Sequence, residues 1–430
     1  MINTSTKINN FDILLSKIKT KRTRVGIVGV GYVGQPLAEA TSEVGFRTIG
    51  FDIDQAKVEA VNSLNKDLLS ATNNFEKISE SDIICICVPT PIDDSNKPDL
   101  SFVENAARNI SKHLRQGQLV ILESSVAPGT TREILLPILE ESGLKAGDDF
   151  FLAYSPERID PGNQEYNLMN TPRVVGGLDE KSTELVKSFY QSFVHNVLGV
   201  SSPEIAEMSK MLENTFRFVN ISLINEMAEY ANARSINIWE VINAAATKPY
   251  AFMPHYPSAG IGGHCIPVDP YYLIDDASKI GVTLRILSQA AIVNESRPRK
   301  VVEKAFELVN GNGRTDNNGN GKNAQPIKFL ILGISYKAGS KDTRESAALK
   351  IWRVAESMGA QVSYYDPYVP KLNGWNSTKL TEKIIAEHDA IIIATDHKNI
   401  PYDIILSSGK PILDTKNIFR SNGLGRVYKY

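Results

Sequence analysis

An apolar run from Val25 to Val28 leads into the glycine-rich turn "GVGYVG", and apolar positions then recur at helical spacing from about Pro36 to Glu43. A second apolar run, "RTIGF", follows and ends at Asp52. The switch between strand and helix periods predicts strand, helix and strand. Further strands are predicted at "DIICICV", "QLVILESSV" and "DFFLAYSPE", alternating with helical stretches as a parallel doubly wound sheet requires. Each runs out into "VPTP", "SSVAPGTT" or "SPERIDPG", on the side where such sheets gather ligands. After Pro203 no glycine or proline interrupts the chain until about Ser235, which predicts one long helix with Lys210 and Asn214 on a shared face. Residues 310–323, "NGNGRTDNNGNGKN", have no apolar period and read as a flexible surface loop or linker.

The opening pattern then returns. "KFLILGISYKAG" echoes "RVGIVGVGYVG", "QVSYYDP" echoes "RTIGFDI", and "DAIIIATDH" echoes "DIICICVPT". The fold class is therefore α/β: two Rossmann-like doubly wound domains joined by a central helical region. The expected boundaries are an N-terminal helix in 1–23, a first domain over 24–202, the helical centre over 203–309, the loop over 310–325 and a second domain over 326–430. Phe11, Ile13, Leu14, Leu15 and Ile18 suit a short amphipathic helix, read as packed on its own protein rather than on a membrane surface.

The first glycine turn stands where a dinucleotide fingerprint needs it. Gly29 makes the tight turn, Gly31 lets backbone approach a pyrophosphate, and Gly34 allows close packing of helix on strand. The helix N-terminus adds N–H donors for the phosphates. Tyr32 and Val33 in the turn, with Pro89, Thr90 and Ser125 beyond later strands, complete the candidate cofactor contacts. A carboxylate at Asp52 can bind both ribose hydroxyls and would repel a 2′-phosphate, which favours NAD over NADP. The second half has Ser335 where the first has Gly31, so it is expected to bind something other than the dinucleotide.

Bulk properties remove other classes. A net charge of −2 over 430 residues gives no broad basic field for nucleic acid or anionic membrane. No apolar run reaches the roughly 18 residues that span a bilayer, and the first residues have too short an apolar core for a signal peptide. Three cysteines argue against a disulfide framework and for a reducing cytoplasm. Cys85 and Cys87 share one face of a buried strand, without the further ligands a metal site needs. That leaves Cys265 in "AGIGGHCIPVDPYYL", which taken alone is equally a small residue in a tight loop. Read alone, Lys210 is a solvated helix lysine.

The glycine fingerprint, "SPER", "SKMLENT", "GGHCIPVDPYYL" and "YKAGSKDTRES", in this order and spacing, resemble the UDP-glucose/GDP-mannose dehydrogenase family, from about Arg24 onward. The resemblance implies an N-terminal NAD domain, a central helical region that makes a homodimer, a C-terminal domain for the nucleotide of a UDP-sugar, and an active site between the two α/β domains. Carried over, the nucleophile is Cys265, with Asp269, Lys210, Asn214, Glu157 of "SPER" and Ser125 of "ESSVAPG" as catalytic partners. Glu157, Arg158, Lys210, Asn214, Tyr256, Gly262, Lys337 and Arg344 are the implied substrate contacts. The chain departs from the common pattern at Ser125, often Thr in relatives, at Gln35, and at Ser258 and Ala259, where Gly and Pro are frequent. The stretch "KPYAFMPHYPSAGIGGHCIPVDPYYL" is most similar to members acting on UDP-N-acetylhexosamines, particularly UDP-N-acetylglucosamine, with UDP-N-acetylmannosamine and UDP-glucose as alternatives.

Such chemistry explains a thiol. Oxidising a primary alcohol to a carboxylate removes two hydrides, and a thiolate holds the intermediate aldehyde as a thiohemiacetal and then as a thioester that water cleaves. Backbone N–H groups of the glycine loop and Lys210 would favour the thiolate, and Lys210 with Asn214 would stabilise each oxyanion. Glu157 or Asp269 would activate the water, and His264 reads as a flanking residue bonded to backbone. A two-electron dehydrogenase of the 6-phosphogluconate or hydroxy-acid kind and a catalytically silent NAD-binding regulator share the domain plan, but neither needs Cys265 with Lys210 and Asn214.

Overall fold

The computed structural model describes residues 9–93, 95–159, 163, 165–311, 326–420 and 426–430. Residues 1–8 and most of the expected Gly/Asn-rich loop, 312–325, lie outside the described residues. Two compact units divide the chain: Met1–Glu213 with Tyr271–Ile280, and Asn214–Pro270 with Gly281–Tyr430. The helical region expected in the centre is shared between them.

The strands are β1 (Arg24–Val28), β2 (Arg47–Phe51), β3 (Leu69–Thr72), β4 (Ile83–Ile86), β5 (Leu119–Leu122), β6 (Phe151–Tyr154), β7 (Arg173–Gly177), β8 (Val197–Val200), β9 (Lys328–Leu332), β10 (Gln361–Tyr365), β11 (Lys371–Leu372), β12 (Trp375–Asn376), β13 (Ala390–Ile393), β14 (Ile412–Asp414) and β15 (Val427–Lys429). The helices are α1 (Asn10–Lys19), α2 (Gly34–Glu43), α3 (Gln55–Asn62), α4 (Ser101–Ser111), α5 (Leu136–Glu140), α6 (Glu180–Gln191), α7 (Pro203–Ala233), α8 (Ile238–Ala245), α9 (Asp269–Lys279), α10 (Arg285–Gly311), α11 (Ala347–Ser357), α12 (Glu382–Ala386) and α13 (Tyr402–Ser407).

In the first unit one sheet has the order β3-β2-β1-β4-β5-β6-β7-β8. The first six strands are parallel, in the order of a dinucleotide-binding domain. Residues of β4, β5 and β6 are all buried, as strands covered on both faces require. The all-parallel expectation fails at one place: β7 runs antiparallel to β6. A parallel return needs a crossover helix, and the described residues of 155–172 contain none. Helix α6 then supplies a crossover, so β8 is parallel to β7. Helix α1 is capped by Asn9, whose side chain accepts from the Asp12 N–H, and it buries Leu14 and Ile18 in the core of its own unit.

In the second unit β10-β9-β13-β14-β15 form a parallel sheet, repeating the plan on a smaller scale. Its core joins β9, α10 and α11 through Phe329, Val301, Val302, Ile351 and Trp352. Helix α7 has 31 residues and begins with Pro203, a position that lacks an intrahelical N–H partner anyway. It ends at Ala233, shortly before Ser235 takes a left-handed φ of 57°. Among the described residues no helix is long and apolar enough to cross a membrane.

Candidate active site

In the first unit the glycine turn has the shape the fingerprint demands. A Cβ on Gly34 would lie 1.9 Å from the Gly29 carbonyl oxygen, so α2 could not pack on its own turn. At Gly31 a Cβ would meet nothing within 4 Å, which leaves open space for a pyrophosphate against bare backbone. No side chain caps α2 at Val33; the Gln35 N–H donates to the Gly31 carbonyl at 3.0 Å and Pro36 has none, so the start of the helix at Gly34 is the end turned to an anion. Tyr32 and Pro89 are exposed, and Val33, Thr90 and Ser125 are half-buried. Asp52 is buried: Oδ2 accepts from the Val30 N–H at 3.0 Å and Oδ1 from the Asp54 N–H at 3.0 Å. Lys57 Nζ lies 3.6 Å from Oδ2, a neighbour that sequence reasoning missed. The open backbone at Gly31 and the buried carboxylate of Asp52 fit a dinucleotide cofactor.

Beyond β6, Glu157 Oε1 accepts from the N–H groups of Arg158 at 2.6 Å and Ile159 at 2.5 Å. Its Oε2 is buried and has no hydrogen-bond partner among the described residues. Arg173 Nη1 stands 3.6 Å from that oxygen. Lys210 is not a solvated lysine: it is 8% exposed and its ammonium donates to the Glu157 carbonyl at 2.5 Å. Arg158 is committed to Glu213, at 2.5 and 3.2 Å, and to the Pro172 carbonyl. Glu207 was also missed. Its carboxylate accepts from the N–H groups of Gly129 (2.6 Å) and Thr131 (2.8 Å) and from the Thr131 hydroxyl (2.6 Å), fixing the turn that carries Ser125. Burial pushes its pKa up to about 7 against the pull of those donors. A carboxylate three residues before Lys210, on the same helical face, was the signal available.

In the second unit Cys265 is half-buried and its Sγ lies 2.7 Å from His264 Nδ1, so His264 partners the thiol rather than merely flanking it. The Cys265 carbonyl accepts from the Asp269 N–H at 2.8 Å, in the turn that opens α9. Asn214 and Asp269, 55 positions apart, meet through a 2.5 Å bond from Nδ2 to Oδ2. The loop before Cys265 is clamped by Asn225 on Ser258, by Asn294 on Ile261 and by Arg297 on the Ser258 carbonyl. Gly263 has φ 96°, and a Cβ there would stand 3.1 Å from the Tyr336 ring. At Gly262 it would stand 3.0 Å from the Glu345 carbonyl. The glycines let this loop lie against "YKAGSKDTRES". Tyr256 stacks on Trp239, Lys337 is half-buried, and exposed Arg344 pairs with Asp342 at 2.6 Å.

Comparison with known proteins identifies the lineage. Residues 23–194, 204–296 and 330–421 match, in turn, the NAD binding, central and UDP binding domains of one family. The chain belongs to the UDP-glucose/GDP-mannose dehydrogenase family. It is an NAD-dependent oxidoreductase. A UDP-N-acetyl-D-mannosamine dehydrogenase of Pyrococcus horikoshii is 34% identical, over 94% of this chain and 98% of the relative. A UDP-N-acetyl-D-glucosamine 6-dehydrogenase of Pseudomonas aeruginosa is 35% identical, over 91% and 95%. A solved structure of a UDP-D-ManNAc dehydrogenase from Pyrococcus horikoshii superposes with a TM-score of 0.85 at 34% identity, covering 94% of this chain and 98% of the other.

Within this family frame the two glycine turns diverge as the sequence implied. The N–H groups of Ile334 and Ser335 both donate to Asp366 Oδ2, and the buried Ser335 hydroxyl donates to the Lys337 carbonyl. The space that Gly31 leaves open in the first turn is filled in the second.

Proposed function

We propose that this family member oxidises the C6 hydroxymethyl of a UDP-N-acetylhexosamine to the uronic acid, with UDP-N-acetylglucosamine as first substrate and UDP-N-acetylmannosamine as second. The named relatives at 34% and 35% identity support the hexosamine class, and the stretch from Lys248 to Leu273 favours glucosamine within it. The observation that carries the reading is Cys265 beside His264 in a glycine-lined loop, in a chain of this family.

NAD supplies a hydride acceptor for each of the two oxidations. After the first, the Cys265 thiol passes its proton to His264 and the resulting thiolate adds to the aldehyde carbon, forming the thiohemiacetal. Loss of the second hydride leaves a thioester, and one water then releases the acid and the thiol. Lys210 and Asn214 are the proposed oxyanion donors, each held by a partner, the Glu157 carbonyl and the Asp269 carboxylate. Losing one such donor typically costs roughly 3 to 4 kcal/mol of barrier. Of the two candidate bases we take Glu157, because its Oε2 accepts no hydrogen bond among the described residues while Asp269 already accepts from Asn214. Substrate contacts at Arg158, Tyr256, Gly262, Lys337 and Arg344 complete the proposal.

The test is NADH formation against a panel of UDP- and GDP-sugars. UDP-N-acetylglucosamine is expected to give the highest kcat/KM, two NADH per sugar and no aldehyde trapped by a hydrazine. Faster turnover of UDP-N-acetylmannosamine selects the second reading, and faster UDP-glucose or GDP-mannose rejects the hexosamine class. Cys265→Ala is expected to lose several orders of magnitude in turnover, and Cys265→Ser to accumulate a sugar ester visible by intact mass. Wild-type rates in Cys265→Ala would end the thioester mechanism.

A further inference from the structure

Glu157 shares its cation with a second carboxylate. Arg173, the first residue of β7, is 4% exposed, and its guanidinium reaches three oxygens. Nε donates to Ser155 Oγ at 2.8 Å, Nη2 pairs with Glu123 Oε2, and Nη1 lies 3.6 Å from Glu157 Oε2. The plane of the guanidinium rests on the Tyr190 ring, 4.2 Å from its centroid, and the Tyr190 hydroxyl donates to Glu123 Oε1 at 2.5 Å. Glu123, immediately after β5, is 1% exposed. All these groups lie in the first unit.

The arrangement solves a specific problem. A base that must take a proton from water needs a fixed orientation, yet a cation within 4–6 Å lowers a carboxylate pKa by about 1–3 units and weakens it as a base. Two backbone N–H groups occupy Glu157 Oε1, so Oε2 is the atom left to receive the proton, and Arg173 Nη1 faces it at 3.6 Å. Glu123 sits on the same guanidinium and opposes its field. The other charges facing Glu157 change this little. Arg158 is paired with Glu213, Lys210 binds the main-chain carbonyl rather than the carboxylate, and burial raises the Cys87 thiol so that it stays neutral.

We propose that Arg173 and Glu123 are positioning residues for the hydrolytic step: Arg173 orients Glu157 Oε2, and Glu123 shares the guanidinium so that Glu157 does not face its charge alone. This deepens, and rests on, the reading of Glu157 as the base. Burial works against the charge on Arg173, but Glu123, Tyr190 and Glu157 outweigh it and keep the guanidinium charged. Burial raises Glu123's own carboxyl, so its ionisation is what the test must examine.

The experiment is the pH profile of kcat in the full-length enzyme with its best nucleotide sugar. Glu123→Gln keeps the shape and removes the charge. Its acid limb is expected to move about one pH unit lower, with kcat on the plateau roughly tenfold down, KM for both substrates unchanged and thioester accumulating in single turnover. Tyr190→Phe removes only the hydroxyl that favours ionised Glu123, so it moves the limb the same way by less, and it serves if Glu123→Gln does not fold. Glu157→Gln is the control and is expected to abolish the limb. If Glu157→Gln abolishes the limb while a folded Glu123→Gln or Tyr190→Phe leaves it in place, the positioning proposal is overturned and the base assignment stands. If Glu157→Gln keeps wild-type rate and limb, the base assignment itself fails and the proposal falls with it.

Discussion

Asp52 and Asp366 occupy the same place in two copies of one strand-turn-helix, and their neighbours separate their uses. Asp366 accepts from the N–H groups of Ile334, Ser335, Tyr368 and Val369 and meets His397 Nε2 at 3.0 Å. Its lone pairs are filled. Burial would raise its carboxyl, but His397 and those N–H groups hold it below the usual range. Asp52 accepts from two N–H groups and keeps capacity for ribose hydroxyls, with Lys57 3.6 Å away. Asp52→Ala is therefore expected to raise the KM for NAD roughly tenfold to a hundredfold, as the loss of charged hydrogen bonds implies. It also frees Lys57, so NADP use is expected to rise, and adding Lys57→Ala should reverse that rise. Steady-state kinetics with both cofactors measure this, and an unchanged KM for NAD in Asp52→Ala would remove Asp52 from the cofactor site. The glycines and Asp52 were legible because the fingerprint is local. Lys57 was not, because nothing in the spacing says that its side chain turns back toward Asp52.

Helix α7 acts as a spine with two faces. At 100° per residue, Glu207, Lys210, Asn214 and Asn225 fall within about 60° of one another. Each holds a different loop: the Gly129–Thr131 turn, Glu157, Asp269 and Ser258 respectively. The family resemblance supplied Lys210 and Asn214, but Glu207, Arg173 and Glu123 carry no motif. Glu207 binds the turn at Gly129 and Thr131, 78 and 76 positions away, and Glu123 meets Arg173 across 50 positions, so only the folded sheet brings them together. Glu207 makes a measurable prediction. Its folded pKa of about 7 lies above the ordinary glutamate value of 4.5, so its contribution to stability is fully present below about pH 4.5 and is lost as pH rises through 7. The loss amounts to on the order of 3 kcal/mol. Glu207→Gln cannot ionise, so the difference in urea midpoint between variant and wild type is expected to move in the variant's favour from pH 4.5 to pH 7. A difference independent of pH in that window would show that the three donors keep Glu207 ionised at an ordinary pKa.

At the scale of the whole molecule, the repeated period of strand and helix made the two sheets legible, while the reversal at β7 was hidden because no residue announces the missing crossover between β6 and β7. The family resemblance also implied a homodimer, and α7 offers a surface for it. Opposite the polar face just described, Ile205, Met208, Leu212, Phe216, Leu223, Met227 and Tyr230 are 42% to 60% exposed. The helical period places all seven in one stripe about 100° wide. Large apolar side chains in a continuous band on one helix are the usual mark of an interface, whereas scattered ones are not. Covering the exposed half of each is worth on the order of 1 kcal/mol, enough in sum to drive association against the entropy of binding. A second copy of the same chain, laying its α7 against this stripe, is the expected cover. Sedimentation velocity at micromolar concentration should therefore show a dimer for wild type. Leu212→Glu combined with Leu223→Glu, at positions 60% and 50% exposed, should give a folded monomer by circular dichroism and sedimentation. A wild-type monomer, or a dimer that tolerates both charges, would place the interface elsewhere and leave the stripe on α7 without this role.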